Sequence, residues 1–105
     1  MKRIMYIENK GDELSGPGRI GWVTLSKSKR SYHYDGKTLK KVRDGYKYNC
    51  IDEETGDKYW VSGPKIRGGD TLYGGLVRID DDAREEYWLK IRKLPSRVHQ
   101  KAYRG

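Results

Sequence analysis

The chain contains no phenylalanine, a single cysteine and three prolines among its 105 residues. Because Cys50 is the only cysteine, an intrachain disulfide and a cluster of thiolate metal ligands are both excluded. No apolar run approaches the roughly twenty residues that a membrane-spanning helix needs. The first residues, 1–5, lack the apolar core of a signal peptide, so we expect no membrane association and a reducing, cytoplasmic location.

Tyrosine and tryptophan take the place of phenylalanine. Nine Tyr and three Trp supply large apolar areas for burial, and thirteen Gly suit tight turns. We therefore expect a folded protein with a Tyr- and Trp-rich core, although 36% of the residues are charged. A chain of this length buries only about two-thirds of the surface that it exposes when unfolded, so its core must be compact.

The clearest local pattern lies in residues 46–62, YKYNCIDEETGDKYWVS. Two alternating runs flank an acidic turn, and alternation at period two predicts a strand on each side of it. Gly56 can adopt the positive φ that closes such a hairpin, and Asp35–Gly36 predicts a second tight hairpin. The strands predicted by this kind of pattern are 3–8, 19–26, 31–35, 37–42, 46–51, 58–62 and 72–79.

The period of the apolar residues changes after residue 80. A helical spacing predicts a helix near 81–93, capped by one of the aspartates 80–82 and ended by Pro95. Its apolar stripe consists of Ala83, Tyr87, Trp88, Ile91 and Leu94.

Six or seven short strands and one C-terminal helix can bury the aromatic residues on both faces of the sheet only if the sheet curls or the helix covers one face. We predict a mainly β fold: a small curled antiparallel sheet or SH3-like partly open barrel with one C-terminal α-helix. A flat sheet with the helix across it is the alternative. The single domain should span residues 1–95, and the polar residues 96–105 should form a basic flexible tail.

The net charge is +8, and the basic residues concentrate in 26–48 and 89–105. A basic surface attracts polyanions, and exposed tyrosines among lysines could stack on unpaired bases while the cations contact phosphates. The alternative is that these tyrosines fill the core and only the lysines are exposed. The candidate nucleic-acid-binding residues are Lys27, Lys29, Arg30, Tyr32, Tyr34, Lys37, Lys40, Lys41, Lys47, Arg97, Lys101 and Arg104.

No catalytic or metal-binding constellation is recognisable in the sequence. His33 and His99 have no sequence-local partner that would make either one a metal ligand or a general base. The acidic turn 52–57 lacks the ligand spacing of a calcium loop, and a buried, unreactive role is expected for Cys50. We therefore predict no enzymatic activity, no cofactor and no metal.

Four segments resemble a family of small bacterial proteins of about this length: SGPGRIGWVTLSKS, ETGDKYWVSGPK, DTLYGG and IDDDAREEYW. The resemblance extends roughly from Tyr6 to Arg92, and its most specific parts are the YW-x-SGPK and REEYW blocks. The family has no established biochemical function. Some of its members are misnamed as deoxyxylulose-phosphate synthase, although this chain has no room for a thiamine-diphosphate fold. The resemblance implies a bacterial cytoplasmic protein and adds no site residues.

Two functions follow from these observations. The first is a non-catalytic binding module that acts through a protein partner, because Tyr and Trp are residues that anchor protein interfaces. The alternative is a small nucleic-acid-binding barrel that uses the basic 27–48 face and the C-terminal tail.

Overall fold

The computed structural model describes residues 1–11, 16–43, 45–71 and 74–104. Within these residues the strands are β1 (Lys2–Gly11), β2 (Gly18–Leu25), β3 (Ser31–Tyr34), β4 (Lys37–Lys41), β5 (Cys50–Asp52), β6 (Lys58–Ser62), β7 (Leu76–Ile79) and β8 (Ala102–Arg104). Helix α1 begins as an α-helical turn, Arg84–Glu86, and continues as a π-helical segment, Tyr87–Ile91. A short 3-10 turn, Pro95–Arg97, follows it.

Six of these strands close into an antiparallel barrel. Their order is β1-β6-β5-β4-β3-β2, and β2 pairs back onto β1 from Lys2↔Thr24 to Glu8↔Gly18. Strand β7 extends the sheet in parallel with β2, and β8 is antiparallel to β7. The predicted fold class, a small SH3-like barrel with one C-terminal helix, is confirmed.

The alternation along β1 and β2 supplies two cores on opposite sides of the sheet. Met5 and Ile7 point into the barrel, whereas Ile4 and Tyr6 point outward beneath α1. The barrel interior comprises Met5, Ile7, Val23, Tyr34, Leu39, Cys50, Tyr59 and Val61. The second core comprises Ile4, Tyr6, Ile20, Val77, Ile79, Ala83, Tyr87 and Trp88. Both cores are rich in tyrosine, as the composition predicts.

Two predicted strands begin four residues later than expected. The strand predicted at 46–51 begins at Cys50, because the Asn49 side chain takes the place of backbone pairing opposite Val61: its Oδ1 accepts from Val61 N at 2.8 Å and its Nδ2 donates to Val61 O at 2.7 Å. The strand predicted at 72–79 begins at Leu76. Gly74 and Gly75, with φ of 78° and 116°, cannot belong to a regular strand, and residues 72–73 lie outside the described part of the chain.

The ends of the helix differ from the prediction, whereas its buried stripe does not. Ala83, Tyr87 and Trp88 are buried against the sheet and Ile91 packs beside them. The residue at the N-cap is Ala83, and no side chain caps the helix, because Asp80 is bound elsewhere. The C-terminal end comes at Ile91 rather than Pro95, and Pro95 instead begins the 3-10 turn.

The predicted boundary at Pro95 and the predicted flexible tail at 96–105 are wrong for the residues described, which end at 104. Strand β8 pairs with β7 in the register Leu76↔Arg104 to Arg78↔Ala102. Trp88 Nε1 donates to Gln100 O at 2.8 Å, which holds the segment that leads into β8. No helix among the described residues has the length and apolar character needed to cross a membrane.

Candidate functional site

Two of the tyrosines predicted to form a base-stacking surface, Tyr34 and Tyr32, belong to the barrel instead. Tyr34 is only 8% exposed, and its hydroxyl donates to Asp80 Oδ2 at 2.6 Å. Burial, and then the hydrogen bond to Asp80, raise the pKa of Tyr34 well above its ordinary value. Tyr32 is half-buried against the barrel interior, and the Lys41 ammonium lies 4.6 Å from its ring centroid. The alternative in which tyrosine fills the core is therefore correct for Tyr34, and the prediction of Tyr34 as an exposed binding residue is wrong.

The predicted basic residues of segment 27–48 are spread over the β3–β4 side of the barrel. Lys27, Lys29 and Arg30 are exposed in the turn before β3. Lys37 Nζ lies 3.6 Å from Asp35 Oδ2, and the Lys37 side chain is 40% exposed. The remaining members, Lys40, Lys41 and Lys47, are exposed. The structure brings these cations to the surface, but within the described residues only the half-buried Tyr32, of the two candidate tyrosines, has one of them, Lys41, over its ring.

A groove of about 720 Å³ lies between α1 with the turn after it, β8 and the loop before Asp70. Its cationic lining is Arg67, Arg92, Lys93, Arg97 and Arg104. The other lining residues are Ile66, Gly68, Gly69, Trp88, Leu94 and Tyr103. Among the described residues that line this space, none is acidic. We call it the basic groove.

The basic groove contains part of the predicted site and several residues that the prediction missed. Arg97 and Arg104 line it, whereas Lys101 is exposed outside it and no residue of 27–48 lines it. Arg67, Arg92 and Lys93 were missed, because only the pairing of β8 with β7 brings the end of the chain to the loop at 66–69. The signal available in the sequence was the accumulation of Lys90, Arg92 and Lys93 at the end of the helix.

A buried carboxylate, Asp70, organises the floor of the groove. Its Oδ2 accepts hydrogen bonds from Tyr87 Oη at 2.6 Å, from Arg92 Nη2 at 2.9 Å and from Tyr103 Oη. Its Oδ1 accepts from the backbone N–H of Lys65 at 2.7 Å, and this bond connects the loop before Asp70 to the same carboxylate. The Asp70 side chain has no exposed surface, so its charge is stable only because these donors surround it.

Helix geometry positions Arg92 over this network. In the π-helical segment the backbone N–H of Arg92 donates to Tyr87 O at 2.9 Å. This wider turn sets the Arg92 side chain above the Tyr87 hydroxyl, to which its Nε donates at 2.8 Å. Burial lowers the pKa of Arg92, but the hydrogen bonds to Tyr87 and Asp70, together with the charge of Asp70, more than offset that effect. The pKa of Arg92 therefore stays above its ordinary value, and the guanidinium is charged.

The two tyrosines of the network are held as neutral hydroxyls. Burial is the main cause that raises the pKa of Tyr87, and the hydrogen bond to Asp70 is the next. The same two causes, in the same order, raise the pKa of Tyr103. Arg92 and Asp70 are thus the charged pair of the network, and both tyrosines act as fixed hydrogen-bonding groups around it.

A second cleft, of about 700 Å³, lies next to the basic groove and shares the loop before Asp70 with it. Its lining is Arg3, Ile4, Trp22, Gly63, Pro64, Ile66, Glu86, Lys90, Ile91 and Lys93. Ile66 and Lys93 line both spaces, so the two are adjacent beside α1. We call this second space the apolar cleft, because five of its lining side chains are aliphatic, proline or tryptophan.

The reactive residue types are engaged elsewhere in the fold. Cys50 is buried in the barrel, and burial raises the pKa of its thiol to about 11. Asp80 accepts from Arg19 as well as Tyr34, with Arg19 Nη2 at 2.7 Å from its Oδ1. Within the described ranges, no group of three or more His, Cys, Asp or Glu side chains is placed to hold a metal ion.

Comparisons of the chain with family models, with curated proteins and with solved structures gave no match. The resemblance to a family of small bacterial proteins therefore stays a prediction.

Proposed function

We propose that the protein is a non-catalytic binding module whose partner is a protein segment rich in acidic side chains. The observation that carries the proposal is the lining of the basic groove, which combines five cationic side chains with exposed aliphatic ones. Arg92 is paired with Asp70, whereas Arg67, Lys93, Arg97 and Arg104 are exposed around it. Like charges gathered around one concavity create a positive potential that attracts and orients an acidic partner.

The aromatic rings of the groove favour a protein over a single-stranded nucleic acid. Trp88 is only 1% exposed. The Tyr103 ring stacks on Tyr87 at a centroid distance of 6.4 Å, and the Arg92 Cζ lies 5.2 Å from its centroid. These rings have little face left for a base, although stacking supplies much of the affinity for unpaired strands. The exposed apolar groups are instead Ile66 and Leu94, at 62% and 37%, which suit the side chains of a peptide.

The apolar cleft extends this surface. Because Ile66 and Lys93 line both spaces, a segment with carboxylates in the basic groove can place an apolar side chain against Trp22, Pro64 and Ile91. Apolar anchors surrounded by charge are the usual composition of a binding hot spot. The proposed partner therefore carries acidic residues together with large apolar ones.

Fluorescence anisotropy with a labelled peptide in which glutamates alternate with leucines tests this proposal. We expect saturable binding that weakens with added salt. The variant Arg97→Glu with Arg104→Glu should lose about tenfold or more in affinity, which corresponds to about 1.4 kcal/mol. The matched control, Lys27→Glu with Lys40→Glu, makes the same change in net charge on the β3–β4 side and should lose less than about threefold, since surface charges far apart are screened.

The outcomes that contradict the proposal are equally concrete. If both variants lose the same affinity, the peptide responds to overall charge and the groove is not the site. If a single-stranded oligonucleotide binds more tightly than the peptide, and the Lys27 and Lys40 control abolishes that binding, the nucleic-acid alternative is correct instead.

A further inference from the structure

Arg92 combines deep burial with an unused pair of hydrogen-bond donors. Its exposed fraction is 8%, and it lines the basic groove. Its Nε donates to Tyr87 Oη. Its Nη2 donates to Asp70 Oδ2 and to Tyr103 Oη, and both of these distances are 2.9 Å. In the described part of the chain, Nη1 has no acceptor within hydrogen-bond distance, whereas Nε and Nη2 are both engaged. Because Arg92 lines the basic groove, Nη1 is the part of its guanidinium that remains for a ligand there.

We infer that Arg92 is a preorganised receptor for one carboxylate of the acidic partner, bound at Nη1 on the floor of the basic groove. This inference depends on the proposed function, and it adds the chemistry of the central contact. A carboxylate that accepts from a guanidinium makes a charge-assisted hydrogen bond, roughly twice as strong as a neutral one.

The surroundings of Arg92 make the receptor rigid before any ligand arrives. Three hydrogen bonds fix the guanidinium plane, and its Cζ lies 5.5 Å from the Tyr87 ring centroid and 5.2 Å from that of Tyr103. An exposed arginine such as Arg97 or Arg104 must lose side-chain freedom when it binds, at a cost of about 0.5–1.5 kcal/mol for each side chain. Arg92 has already lost that freedom on folding, so it should determine specificity more than the exposed cations do.

The charge behind Arg92 selects the type of anion. Asp70 lies 2.9 Å from Nη2 on the buried side, so an anion at Nη1 shares the guanidinium with a second negative charge. A singly charged carboxylate meets less repulsion from Asp70 than a phosphate group, whose charge at neutral pH is between one and two. The exposed Arg67, Lys93, Arg97 and Arg104 supply the attraction that compensates this repulsion.

NMR of the arginine side-chain N–H groups tests the inference on the unmodified protein. We expect the Arg92 Nε–H signal to be protected from solvent exchange, because it donates to Tyr87. Titration with sodium acetate should shift the Arg92 signals in a saturable way, and inorganic phosphate should shift them less. A larger, saturable shift with phosphate would overturn the preference for a carboxylate.

Affinity for the glutamate–leucine peptide gives the second measurement. Arg92→Lys keeps the charge beside Asp70 but removes the planar fork, and it should weaken peptide binding by about tenfold or more. The control Arg97→Lys makes the same chemical change at an exposed position and should weaken binding by less than about threefold. Urea unfolding of both variants shows whether each one is folded, and if Arg92→Lys is not, the shifts of the wild-type signals decide alone.

The failure of this inference is distinguishable from the failure of the proposed function. If the peptide binds in a manner that depends on Arg97 and Arg104 while the Arg92 signals do not shift, the receptor is wrong and the binding module stands. If the peptide does not bind at all, the proposed function fails and this inference fails with it.

Discussion

Gly21 illustrates how a single residue can be required by its neighbours. A Cβ atom at this position would lie 2.3 Å from Asp80 Oδ2 and 2.6 Å from Tyr34 Cε1. These two side chains are joined by a hydrogen bond that connects β3 to the segment between β7 and α1. The backbone of β2 passes against this contact, so the position has no room for any side chain.

Gly21→Ala should therefore lower the free energy of unfolding by about 1–3 kcal/mol, the usual cost of overpacking. Urea denaturation measures the change. Gly63→Ala is the matched control, because a Cβ there meets nothing within 4 Å, and we expect a change of less than about 0.5 kcal/mol. Equal losses in the two variants would show that the contact with Tyr34 and Asp80 is not as tight as the structure indicates.

A glycine within a strand pattern, such as Gly21, indicates a close backbone approach or a bend, but the sequence cannot predict what approaches. Alternation within a strand is a local property, whereas the contact between Tyr34 and Asp80 joins residues 46 positions apart. The same limit applies to Asp80, one of the three aspartates predicted to cap α1, whose side chain instead binds Arg19 and Tyr34. Lys10 is another example: a lysine on a strand is expected in solvent, yet it is 3% exposed beside Glu8.

Among the elements, periodicity predicts β6 and the buried side of α1 well, whereas β8, which depends on long-range pairing, is not predicted. Strand β6 has the predicted bounds, Lys58–Ser62, and Ala83, Tyr87, Trp88 and Ile91 of α1 pack against the sheet as predicted, whereas Leu94 at the end of the stripe is exposed. Strand β8 has only three residues and no alternating pattern of its own. It exists because β7 offers a partner and because Tyr103 reaches Asp70, and neither reason is visible in residues 96–105 taken alone.

Deletion of residues 102–105 should consequently destabilise the whole domain. The deletion removes the pairing with β7 and leaves the buried Asp70 and Arg92 without the Tyr103 hydroxyl. A loss of about 2–3 kcal/mol in a domain of this size lowers the melting temperature by about 10 °C or more.

Thermal unfolding, monitored by circular dichroism, measures the melting temperature of the deletion variant. The same measurement on single substitutions shows which residues account for the loss of stability. Tyr103→Phe removes only the hydroxyl and should account for about 1–2 kcal/mol of the loss. Lys101→Ala changes an exposed side chain in the same segment and should leave the melting temperature nearly unchanged. A melting temperature unaffected by the deletion would support a flexible tail after Pro95.

At the scale of the whole molecule, the apolar interior also contains tyrosine hydroxyls and one cysteine thiol that stay protonated. Burial is the main cause that raises the pKa of Tyr6, Tyr34, Tyr59, Tyr87 and Tyr103, and it raises the pKa of Cys50 to about 11. In a protein without phenylalanine, both cores contain such groups. A folded state of this kind has a specific sensitivity to alkali.

The sign of that sensitivity follows from proton linkage. Above the ordinary pKa of 9.0 for cysteine and 10.0 for tyrosine, the unfolded chain releases these protons while the folded chain retains them. The unfolded state then binds fewer protons, so the free energy of unfolding falls as the pH rises, by up to about 1.4 kcal/mol per pH unit for each group. Below about pH 8 these groups are protonated in both states and contribute no pH dependence.

We therefore expect stability to be independent of these groups up to about pH 8 and to fall steeply between about pH 9 and pH 11. Several such groups together remove several kcal/mol by about pH 11, which is comparable with the total stability of about 5–15 kcal/mol of a small domain. Tyrosinate absorbance and far-ultraviolet circular dichroism, recorded on the same samples, should change together in one cooperative transition. If all the tyrosines ionise gradually while the dichroism stays that of the folded protein, the buried hydroxyls are accessible to solvent and the two cores do not exclude water.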